Sequence, residues 1–143
     1  MTTVPDPDHK EPTLNAAAIA AALHAHAHGI YPCEAAVALV IDHQYWLTRA
    51  DFLTGFTDTF PGLTDGTPMA AICWPEAVAA LDCGLLSGSG SQNRILRLAA
   101  SLADGIPVDL QNAVSSLDDT NLQHVVTAIR HAAGRRPDHS HRP

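Results

Sequence analysis

Aromatic residues make up only 5% of the 143-residue chain, and lysine is all but missing, with Lys10 its single example. So few rings beside so many alanines disfavour a sandwich of aromatic and β-branched strands. They favour helices packed closely through small side chains. Cysteine is sparse too: Cys33, Cys73 and Cys83 are odd in number and contain no CxxC pair. They read as buried thiols in a reducing compartment rather than as a disulfide framework. No apolar run is long enough to span a bilayer. Leu14 to Leu23 is short, and Asp6, Asp8 and Glu11 precede it where a secretory signal carries positive charge. The expected location is the cytoplasm, without membrane contact.

Nucleotide and acyl-transfer signatures are missing as well. The segment GLLSGSGSQNR sets small residues, with Arg94 and Arg97 nearby, at a helix start where an anion can bind. It lacks the GxxxxGK[ST] lysine and hydroxyl that hold phosphates and magnesium. Nor is it a GxSxG elbow, because position 85 is leucine where Ser87 would need glycine. It reads as a hinge with a helix cap. The acids are scattered, many where caps are needed, and neighbours Asp42 and His43 point about 100° apart on a helix. No cofactor is expected, and the chain is not expected to be an enzyme.

What is present is a globular composition, 46% apolar and 16% charged, in the length of one domain. The formal net charge of −7 disfavours a general binder of nucleic acid or anionic membrane. The charge is uneven, however. Beyond Asp119, Arg130, Arg135, Arg136 and Arg142 stand against one acid, Asp138.

The pattern predicts an all-α fold, a compact bundle of about six to seven short helices in two lobes. Residues 1–12 read as a disordered N-terminal arm, 13–134 as a single helical domain and 135–143 as a basic disordered tail. Lobes 13–86 and 91–134 are joined by a Gly/Ser hinge, 87–91. Thr13 caps a first helix that Gly29 closes. Pro32 opens a second, running to about Trp46, whose apolar residues cover most of its circumference and place it centrally. Thr48 caps a short helix through Phe56, TDTFPGLTDGTP is a loop, and Pro75 opens another helix that stops at Gly84. Ile95, Leu98, Ala99 and Leu102 recur at i, i+3, i+4 and i+7 in a helix ending at Gly105. Asp109 caps a helix of about two turns. Asp118 or Asp119 caps the last, where Leu122, Val125, Val126, Ile129 and Ala133 share one face. A short strand pair joins residues 69–73 to 106–108.

Three candidate sites follow. In HAHAHGIYPCE, His26 falls on the apolar side with Ile19 and Leu23, whereas His24 and His28 lie round the helix from it. That excludes a three-histidine site and leaves a metal pair, His24 and His28, at i and i+4, with Cys33 as a third ligand. Exposed histidines at a helix end are the plainer alternative. Leu39 and Trp46 lie opposite Val37 and Ile41 and are candidate partner-binding residues; the competing reading buries Trp46 under the next helix. Finally, 91–136 has a helix-turn-helix-like order. Asn121, Gln123, His124, Thr127 and Arg130, with Arg135 and Arg136, are candidate nucleic-acid contacts, opposed by Asp118 and Asp119 near the helix start.

The segments GIYPCEAAVALVIDHQYWL, LRLAASLADGIPVDL and NLQHVVTAIRHAAG resemble stretches of small helical proteins from GC-rich actinobacteria. The resemblance extends over most of the chain and agrees with its alanine and arginine bias. It implies a bacterial setting and carries no activity and no site residues. The expected function is that of a small acidic adaptor or regulator acting on an unidentified protein partner or by self-association. A DNA-binding regulator is the alternative, and a His/Cys metal-binding protein the lesser one.

Overall fold

The computed structural model describes residues 15–115 and 117–135. The arm 1–12, Thr13, Arg136 and the rest of the tail lie outside the described residues. The fold is mostly helical, with one small antiparallel sheet. In chain order it runs α1 (Ala16–Ala27), α2 (Tyr31–His43), a 3-10 turn (Trp46–Thr48), α3 (Ala50–Phe56), β1 (Thr57–Pro61) and β2 (Pro68–Ile72). Then come α4 (Trp74–Cys83), α5 (Gly90–Asp104), α6 (Leu110–Val114) and α7 (Asp119–Ala132).

Polar caps set the helix starts. The Asn15 side chain accepts the Ala18 N–H at 2.8 Å and opens α1. Ser89 and Gln92 form a reciprocal capping box on α5, and Asp109 and Asp118 cap α6 and α7. Each such cap contributes about 1 kcal/mol by satisfying an N–H that the helix leaves open. Gly84 and Gly105, at φ 84° and 69°, end α4 and α5 in the left-handed conformation that glycine adopts without strain.

α2 stops earlier than its apolar pattern suggests. Gln44 takes φ 62° and sends its N–H to the Val40 and Ile41 carbonyls. The chain turns there, and Trp46 swings into the core instead of extending the helix. Thr48 does not cap α3 either; its Oγ1 donates to the Tyr45 carbonyl at 2.6 Å and closes the 3-10 turn.

The strand pair is a correction. β2 pairs with β1 in antiparallel register, from Thr57 opposite Ile72 to Pro61 opposite Pro68. Residues 106–108 are not a strand. The segment TDTFPGLTDGTP is therefore half strand, and only its middle is a turn. Gly62 N–H donates to Thr67 O at 2.7 Å, and Asp65 Oδ1 accepts from both the Thr67 N–H and hydroxyl. The pairing ends at two prolines, which have no N–H to extend the ladder.

The helices on the two sides of residues 87–91 pack into one domain. α2 packs against α1, α5 and α7, and α1 against β2, so one core draws on both sides of residues 87–91. Its largest buried side chains include Trp46, Phe52, Leu23, Leu39, Ile95 and Leu96. The Gly/Ser strip is tied down at three points. Arg49 donates to Ser87 O at 2.8 Å, Gly88 N–H donates to Asn93 Oδ1 at 3.0 Å, and Ser89 caps α5. Gly90 and Ser91, at the end of this strip, form the first residues of α5.

Candidate functional site

The last helix departs most from its sequence pattern. Leu122, Val125, Val126 and Ile129 are expected to face inward together, yet only Val125 is buried. Leu122, Val126 and Ile129 are 42%, 45% and 49% exposed. The inward side of α7 consists instead of Val125 and Ala128 with half-buried Asn121, His124 and His131. His131 explains the roll. Its Nε2 lies 2.8 Å from Glu34 Oε1 on α2, and Glu34 is itself only 7% exposed. The other Glu34 oxygen accepts the Gly29 N–H at 2.7 Å, so one carboxylate joins the α1–α2 turn to α7. A buried carboxylate needs such partners. Satisfying it costs only partial exposure of three aliphatic side chains.

At the other end of the α2–α7 contact, His43 lies near His124 and Asp118, with the Tyr45 ring centroid 6.2 Å away. Its Nδ1 is buried and finds no hydrogen-bond partner among the described residues. Burial first, then the neighbouring His124, pushes its pKa below the ordinary 6.5, while Asp118 works the other way. The folded protein thus resists protonation at His43 more than the unfolded chain does. The stabilisation is complete above the ordinary value and is lost as pH falls from there toward the folded value. Thermal unfolding compared at about pH 7.5 and 5.5 is expected to show a smaller acid-induced fall for His43→Leu than for the parent. An equal fall in both proteins would assign the sensitivity to other groups.

The structure disperses the other sequence-predicted residues. Leu39 and Trp46 are 1% and 0% exposed, so neither forms a partner surface. Each is part of the common core that closes over α2. His24 and His28 stay exposed, whereas Cys33 turns toward the end of α5, its Sγ 3.9 Å from Ala103 O. Among the described residues no group of three His, Cys, Asp or Glu side chains is placed to hold a metal ion, so the expected His24, His28 and Cys33 set does not assemble.

The nucleic-acid candidates divide. Gln123, Thr127, Arg130 and Arg135 are exposed, while Asn121 and His124 turn half-buried toward the body. Arg94 and Arg97, near the start of α5, are engaged locally. Arg94 Nε donates to Asn112 O at 2.9 Å, and Arg97 pairs with Asp82 at 2.8 Å. What unites the accessible side of α7 is the aliphatic row Leu122, Val126 and Ile129.

Neither a family model nor a curated protein nor a solved structure matches the chain. Among the described residues no helix is long and apolar enough to cross a membrane. Sequence reasoning missed the Glu34–His131 link and the outward row on α7. The signal available for both was His131 itself, an imidazole in the last turn of an amphipathic helix.

Proposed function

We propose that this protein is a small cytoplasmic interaction module that self-associates through the outward face of α7. The observation that carries the reading is the exposed row of Leu122, Val126 and Ile129, at i, i+4 and i+7 on a helix whose Asn121, His124 and His131 turn half-buried toward the body. A second copy is the occupant that the charges favour. α7 opens on Asp118 and Asp119 and ends with Arg130 and, just beyond it, Arg135. Antiparallel pairing about Val126 brings the acidic start of each copy to the basic end of the other. A two-fold interface requires that self-complementarity. The two helix dipoles also oppose one another in this arrangement.

Three aliphatic side chains fall short of the roughly 800 Å² per partner of a stable interface. The expected dimer is accordingly weak, with a Kd on the order of 100 μM. Sedimentation of the full chain is expected to show a concentration-dependent dimer that Val126→Asp abolishes. Because Val126 is nearly half exposed, that change should alter folding stability by no more than about 0.5 kcal/mol. A chain that stays monomeric up to about 1 mM overturns the proposal.

A further inference from the structure

A cleft of about 170 Å³ lies where α1, α2 and β2 meet the C-terminal end of α5. Leu23, Val37, Ala70 and Ile72 give it an apolar interior, and all four are buried. His26, Cys33, Trp74 and Asp104 also line it. The volume suits a compact body, since an aliphatic-lined cavity of about 150 Å³ takes up benzene.

One side of the cleft is electronegative. Asp104 is the last residue of α5, at the pole where a helix's free carbonyls present about half a negative charge. The Cys33 thiol faces the Ala103 carbonyl there, and burial together with Asp104 pushes its pKa up, so it stands as a neutral thiol. No lysine or arginine is among the lining residues. The interior selects for apolar surface, and the rim selects for positive charge.

We propose that this cleft binds a small organic cation, an ammonium group carried on an apolar body of about benzene size. The ammonium is held toward Asp104 and the Ala103 carbonyl, and the body lies against Leu23, Val37, Ala70 and Ile72. Trp74 adds an aromatic wall, a side chain that suits a cation as well as an apolar group.

Three probes with one shared ring separate charge from shape: benzylamine, benzyl alcohol and benzoate. Titration of the full chain at about pH 8, above the ordinary imidazole range, is followed through backbone amide shifts. Benzylamine is expected to saturate with a Kd about tenfold below that of benzyl alcohol, and benzoate not to bind. The shifts are expected to be centred on Ala70, Ala71 and Ala103. Asp104→Asn, at an exposed helix end, is expected to erase the advantage of benzylamine and leave benzyl alcohol unchanged. Ala71→Phe, at a half-buried lining position, is expected to block both. Equal affinity for the amine and the alcohol overturns the proposal, as do shifts centred elsewhere or a failure of benzylamine to saturate.

Discussion

Trp46→Ala is expected to destabilise the fold by about 4 kcal/mol and to lower its thermal midpoint by on the order of 10–15 °C. The indole is fully buried, with its ring centroid 4.9 Å from Tyr45 edge-on and 5.6 Å from Phe52. The Arg49 guanidinium lies 5.3 Å from the same ring. The Trp46 indole Nε1–H donates to Gln92 O at 2.9 Å, tying the turn after α2 to the first turn of α5. Alanine therefore leaves a large void and removes a hydrogen bond between two elements. Total stabilities of single domains are only about 5–15 kcal/mol, so a substantial fraction of the variant would be unfolded on warming. Trp46→Phe keeps most of the volume and is expected to lose about half as much. Urea unfolding followed by far-ultraviolet circular dichroism measures both. An unchanged midpoint for the alanine variant would contradict the buried position and return Trp46 to the surface.

Glu34→Leu is the second large effect, expected at about 3 kcal/mol. The substitution removes the acceptor of the Gly29 N–H and leaves the half-buried His131 without the carboxylate 2.8 Å away. Breaking one side of a buried pair is costlier than removing both, because the stranded group keeps its desolvation cost and has lost its partner. The double variant Glu34→Leu with His131→Leu is accordingly expected to recover at least about half of the loss. Simple addition of the two single losses would show that the groups are not coupled. The pair also sets the roll of α7, so the double variant frees that helix to bury Leu122, Val126 and Ile129. It is expected to weaken self-association even where stability is regained.

The parts of the fold legible in the sequence were local. Gly84 and Gly105 end their helices because a left-handed residue is needed there and glycine supplies it. The four-residue recurrence of Ile95, Leu98, Ala99 and Leu102 specified α5, and the nearly continuous apolar surface of α2 made it central. The hairpin was hidden because its turn residues are concentrated at 62–67, between a short strand that ends in Pro61 and one that begins at Pro68. β1 is also exposed along most of its length and shows no inward alternation.

The face of α7 was hidden for a different reason. Hydrophobic periodicity assigns inward positions by counting apolar residues, and on α7 that count favours Leu122, Val126 and Ile129. The winning contact is a single polar one to Glu34, 97 residues away in the chain. Periodicity carries no information about a carboxylate on another helix. Trp46 shows the same limit. Its burial depends on Gln44 leaving the helix in a left-handed turn and on a carbonyl at Gln92 waiting for the indole.

Sequence alone thus determined a mostly helical chain with a central second helix and the caps at Asp109 and Asp118, because these follow from propensity and short-range hydrogen bonding. Tertiary structure alone decided which residues face out, which strands pair and where a cleft opens. Those outcomes depend on contacts between residues distant in the chain, such as Glu34 with His131, and no local pattern encodes them.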